Sequence, residues 1–167
     1  FNYCLGRYQE ARDWIQKGLE IFRTFNDQAE IAFCLVSLAN VAMSIGAYGE
    51  ASQLAEQALP YALAAQRVDL ETKIYLRWGG ACTKQGEYQA ARLKLERALA
   101  LAPPASRLRA DSLSRLGGLD HYLAKLPTAY AYYEQALHIC RQIGDRLGEV
   151  AALVGLGNIS AGMGNYI

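Results

Sequence analysis

One short pattern, glycine-x-tyrosine-x-x-alanine, returns along this chain at a nearly constant interval. It stands at Gly6-Tyr8-Ala11, Gly46-Tyr48-Ala51 and Gly86-Tyr88-Ala91, with a degraded copy at Ala124-Leu126-Ala129 and a truncated one at Gly164-Tyr166. Successive copies lie 40, 40, 38 and 40 residues apart. A fixed period of this size marks a solenoid, in which each unit buries its apolar face only against its neighbours. Between the copies runs a second recurring set: Leu35, Leu38, Ala39 and Ala42; Tyr75, Trp78, Gly79 and Cys82; Leu113, Leu116, Gly117 and Asp120; Leu153, Leu156, Gly157 and Ser160. That spacing puts each set on one face of a 3.6-residue helix. The small residue in third place lets a second helix approach where a larger side chain would hold it off.

The best copy continues from Tyr75, Trp78, Gly79 and Cys82 through Ala91 and Leu95 to Pro103. This spacing resembles the tetratricopeptide repeat, whose pattern is Trp-x2-Leu-Gly-x2-Tyr, then Ala-x3-Phe, then Pro. The resemblance implies an all-α helix–turn–helix solenoid of about eight helices, wound as a right-handed superhelix. It would form a single domain over 1–167, with units near 1–26, 27–66, 67–103, 104–144 and 145–167. The commoner repeat has about 34 residues; the longer unit here is similar to those of kinesin light chains, of the spindle-orientation adaptors and of sensor arms in large bacterial regulators.

Local signals place the helices at 8–24, 28–44, 48–65, 70–84, 88–101, 105–123, 127–143 and 146–163. Asp27 with Glu30 reads as a capping box, Asp69 and Asp145 as N-caps, and Gly144 as a left-handed C-cap. Pro60 is expected to kink or shorten its helix by removing a donor, and Pro104 to open the next one. Trp14 and Trp78 read as core anchors. Neither end carries the polar face of a capping repeat. The solenoid is therefore expected to continue beyond both ends, and the apolar faces at Phe1–Leu5 and Leu153–Met163 to drive self-association.

Composition narrows the functions. The net charge is +1, from 17 basic and 16 acidic residues, which offers no broad attraction to nucleic acid or acidic membrane. The apolar runs are far too short to span a bilayer, and no secretory signal opens the chain. Cys4, Cys34, Cys82 and Cys140 have no metal-type spacing and read as reduced thiols in a cytoplasmic protein. His121 and His138 are the only histidines and form no ligand set. No phosphate-cradling loop or nucleophile–base arrangement is visible. The chain reads as non-enzymatic and free of cofactors.

In the resembled family, the first helix of each unit lines a concave surface where peptides lie. The residues turned from the packing face form four stripes: Phe33-Ser37-Asn40-Ser44, Lys73-Arg77-Gly80-Lys84, Asp111-Arg115-Gly118-Tyr122 and Ala151-Gly155-Asn158-Gly162, with His121 beside the third. Asn40 and Asn158 follow a Leu-small pair, as in the Leu-Gly-Asn motif of the long-repeat adaptors, where similar asparagines hold a peptide backbone. An amide offers both donor and acceptor for that task. Gly80 and Gly118 take this place in the middle units and are expected to leave room for a ligand side chain. Lys73, Arg77, Lys84 and Arg115 form a cationic stripe suited to carboxylates or phosphates. The expected partner is thus an acidic or phosphorylated protein segment, bound by a scaffold. The competing reading is a ligand-sensing or regulatory arm of a multidomain bacterial regulator, in keeping with 12 arginines against 5 lysines.

Overall fold

The computed structural model describes residues 2–164, except the side chains of residues 2–6 and of Met163. Among the described residues there are eight α-helices and no strand: α1 (Asn2–Phe25), α2 (Gln28–Ser44), α3 (Tyr48–Ala64), α4 (Val68–Gln85), α5 (Tyr88–Leu101), α6 (Arg107–Tyr122), α7 (Leu126–Ile143) and α8 (Arg146–Gly164). Each helix packs on the next, most extensively within the hairpins α2–α3, α4–α5 and α6–α7. The first helices α2, α4, α6 and α8 also pack on one another in succession, whereas among the described residues no two of α1, α3, α5 and α7 approach along their backbones. A tight layer of first helices backed by a splayed layer of second helices curves the stack. Its inner wall is built from α2, α4, α6 and α8.

The repeat pattern explains the packing. A Cβ built on Gly79 would lie 2.7 Å from Leu95 Cδ2 and 3.2 Å from the Ala91 carbonyl oxygen. On Gly117 it would lie 3.0 Å from the Tyr133 ring and 3.3 Å from the Ala129 oxygen. Glycine is therefore what allows α4 to seat on α5 and α6 on α7. The facing second-helix positions Ala51, Ala55, Ala58, Ala91, Leu95, Ala98, Ala129 and Ala136 are completely buried. Trp78 bridges two core clusters, stacks on Tyr75 and holds Lys94 Nζ 3.6 Å from its ring centroid, a cation–π contact.

Turns come at a steady beat. Asn26, Gly46, Gln66, Gly86, Ala124 and Gly144 all adopt positive φ. At each, the next residue's N–H reaches back to the carbonyl five residues earlier, as in Asp27 to Phe22, Glu87 to Cys82 and Lys125 to Asp120. This is the Schellman closure of a helix end. Among the described junctions, that between α5 and α6 departs from it: the chain leaves α5 at Ala102 in extended backbone, and Ser106 caps α6 by accepting from Arg109 N–H.

Several local expectations need correction. α1 runs unbroken through Gly6, where the repeat pattern places a turn. Asp27 does cap α2 by accepting from Glu30 N–H, but its own N–H is taken by Phe22 oxygen, so Glu30 closes no reciprocal box. Asp69 is not a cap: α4 begins at Val68, and Asp69 lies in its first turn, bound to Arg67. Pro104 sits in the turn before α6 rather than in it. α3 continues through Pro60 to Ala64, so the donor that proline removes near the end of the helix does not break it. Trp14 is 64% exposed, with Lys17 over its ring; among the described residues the α1 backbone packs only on α2. Phe1–Leu5, Cys4 and Tyr166 fall outside the described side chains.

Candidate functional site

On the inner wall, α4 and α6 present their second stripes toward each other. Between them lies a cavity of about 290 Å³ lined by Lys73, Leu76 and Arg77 from α4 and by Arg107, Leu108, Asp111 and Arg115 from α6. Three of the expected groove residues, Lys73, Arg77 and Arg115, therefore converge. Spacing of four residues explains the α6 side: Arg107, Asp111 and Arg115 climb one face of the helix. Arg107 was missed because the stripe was begun one turn too late. The signal was present as a basic residue four positions before Asp111.

The charges are unevenly matched. Lys73 Nζ lies 3.6 Å from Asp69, and Arg107 Nε 3.3 Å from Asp145. Arg77 and Arg115 are half-buried, and neither makes a hydrogen bond or ion pair among the described residues. Burial lowers the pKa of Arg77, opposed by Asp111; burial and the neighbouring Arg77 lower that of Arg115, opposed again by Asp111. Asp111 is itself pushed up by burial, against the pull of Arg115, Arg107 and Arg77. A guanidinium does not lose its proton in a protein. Two depressed arginines sharing one carboxylate thus mark a site where positive charge is held without enough compensation, and an anion entering the cavity would supply it.

The glycines of the stripe act differently from expectation. A Cβ on Gly80 would stand 2.8 Å from Arg115 Nη1 and 3.7 Å from Met43 Cε. The room left at Gly80 is filled by the chain's own guanidinium, which crosses from α6 to rest on α4. At Gly118 and Gly155 the corresponding space belongs to Tyr133, whose ring lies 2.5 Å from a Cβ built on Gly155 and whose hydroxyl is 3.4 Å from one on Gly118. These glycines position protein side chains rather than leaving a vacant slot for a ligand.

The remaining expected residues sit apart from the cavity. Lys84 donates to the Tyr122 hydroxyl at 3.1 Å, and its Nζ lies 5.4 Å from the Tyr122 ring centroid, which forms a second polar cluster at the far end of α4 and α6. His121 is exposed beside it at the end of α6. Phe33 is exposed and Asn40 half-buried on α2, and Asn158 is exposed on α8. With α4 and α6 between them, the two asparagines flank the cationic cavity at a distance of one first helix each.

Fold and site together define a helical-hairpin solenoid with a cationic cavity on its inner wall. Its residues 1–64 match the family model described as tetratricopeptide repeat. The same helical pair then repeats to α8. Among solved structures, the chain is similar to BtubC (BKLC) from P. vanneervenii, with a TM-score of 0.79 at 20% identity over 93% of this chain. The match spans 66% of that protein's chain, and at such identity the likeness is one of fold. No curated protein sequence matches this chain. Among the described residues, no helix is long and apolar enough to cross a membrane, and no cluster of three His, Cys, Asp or Glu side chains could hold a metal ion.

Proposed function

We propose that this chain is a non-catalytic scaffold that binds an extended protein segment along the wall of α2, α4, α6 and α8. A carboxylate or phosphate of that segment seats between Arg77 and Arg115. The observation that carries this reading is the half-buried pair of guanidiniums without a direct partner in a cavity of about 290 Å³. Arginine presents a planar fork of donors that matches carboxylate and phosphate oxygens. Asn40 and Asn158 would hold the backbone of the segment on either side of the anion. Lys84 with Tyr122, and His121 beside them, would contact its flank, as would the exposed ring of Phe33.

The test uses an immobilised library of glutamate- and phosphoserine-containing peptides. Binders selected by the wild-type chain should lose about tenfold or more in affinity to the Arg77→Ala/Arg115→Ala variant, the effect of about 1.4 kcal/mol. Binding should also weaken as salt rises. Neither arginine belongs to a core cluster, so the variant should keep its helical circular dichroism. Undiminished binding by the folded variant would dismiss the cavity as the recognition site.

A further inference from the structure

Among the described residues that line the cationic cavity, Asp111 is the one acid. It stands one helical turn from Arg107 and one from Arg115, the spacing at which opposite charges on a helix ordinarily meet. Neither pair closes. Arg107 turns instead to Asp145, with its Nε 3.3 Å from Oδ2. Arg115 reaches across to α4, where Gly80 makes its seat. Asp111 is half-buried and, among the described residues, forms neither a hydrogen bond nor an ion pair. It belongs to no core cluster, so packing does not account for a carboxylate at this place.

The charges around it can be counted. Lys73, Arg77, Arg107 and Arg115 are the cations of the cavity. Asp69 answers Lys73 and Asp145 answers Arg107, which leaves Arg77 and Arg115 against Asp111. Two positive charges less one negative leave an excess of one. A carboxylate cancels that excess. A phosphate monoester, at about −1.5 to −2 near neutral pH, overshoots it and sets like charge beside Asp111. Burial raises the pKa of Asp111 against the pull of Arg115, Arg107 and Arg77, because water solvates its charge poorly here. A second anion beside it is therefore strongly felt. Discrimination between related ligands is commonly built on such a repulsive group.

We propose that Asp111 sets the specificity of the cavity, admitting a singly charged carboxylate between Arg77 and Arg115 and turning away a phosphate dianion. This rests on the reading of the cavity as the seat of an acidic segment, and it narrows the anion of that segment to a carboxylate.

Three peptide arrays test this, degenerate except at a central glutamate, phosphoserine or serine. The wild-type chain should retain the glutamate array well above the phosphoserine array, with the serine array as the blank. Asp111→Asn should raise the ratio of phosphoserine to glutamate binding by about tenfold, since it removes one charge from a half-buried site. Asp13→Asn changes the net charge equally at an exposed position on α1 and should leave the ratio alone. Helical circular dichroism checks that both variants are folded, and the wild-type ratio is a test that needs no variant. The proposal is overturned if the wild type prefers phosphoserine, if Asp111→Asn leaves the ratio unmoved, or if Asp13→Asn moves it as far. In those cases the cavity still stands as the recognition site, provided Arg77→Ala/Arg115→Ala abolishes retention of both anionic arrays. Retention no better than the serine blank, or retention that survives the double alanine variant, overturns the cavity reading itself and the proposal with it.

Discussion

Gly79 on α4 and Gly157 on α8 hold the same place in the repeat, and their surroundings differ completely. The first is pressed against Leu95 and the Ala91 backbone, while the second faces open space. Asp120 and Ser160 form a similar couple: Asp120 is buried against Arg92 and Thr128, and Ser160 is exposed. In a solenoid the burial of a residue is set by whether its neighbouring helix is in place, so the energetic role of one consensus position changes from the middle of the stack to its ends.

Substitution at the paired glycines should break or sharpen this contrast most. Gly79→Leu overpacks the α4–α5 seat and should cost about 1–3 kcal/mol in urea unfolding. At Gly157, leucine adds helix propensity at an unobstructed site and should be neutral or stabilising by up to about 1 kcal/mol at dilute concentration. Equal losses at both positions would show that the register assigned to α8 is wrong. The polar couple comes next. Asp120→Ala strips the carboxylate that Thr128 and Arg92 share and should cost about 1–2 kcal/mol, whereas Ser160→Ala should stay within about 0.5 kcal/mol.

The smallest effect concerns two carboxylates on the inner wall. Arg67 holds Asp69 down to about 2, so its contribution is present above the unfolded value of about 3.9 and fades as pH falls toward 2. Asp111 has the opposite sign. Burial raises its folded pKa, so the stability tied to its protonation is complete below about 3.9 and is lost as pH rises through the raised value. Protonating Asp111 also leaves Arg77 and Arg115 uncompensated. Sulfate, whose charge is constant over this range, should therefore raise the melting temperature more at mildly acidic pH than at pH 7. Asp111→Asn should remove most of that difference.

How much of this was legible in the sequence depended on the range of the interaction. The repeat, the eight helices and the seats at Gly79 and Gly117 followed from spacing, because a period repeated across the chain leaves few alternatives. The convergence of Lys73, Arg77 and Arg115 also followed, since stripes on adjacent first helices must face one wall. What Gly80 accommodates was not legible. A glycine reads alike whether a ligand, an arginine or a tyrosine fills the space beside it, and Arg115 reaches it from another helix. Trp14 was misread for the related reason that its exposure depends on which helices lie beside α1, and not on its own helix. The left-handed turns at Asn26 and Gln66 escaped notice because glycine, the usual signal, is absent there, whereas the one at Ala124 was marked by its place in the repeat.

The account stands on recognition through the layer of first helices. Its most direct test is amide hydrogen exchange of the wild-type chain with and without a bound acidic peptide from the library selection. Protection should concentrate in α4 and α6, on the segments carrying Arg77 and Arg115, and should leave α5 and α7 at their free-state rates. Protection confined to α5 and α7, with α4 and α6 unchanged, would contradict the account and move recognition to the outer layer.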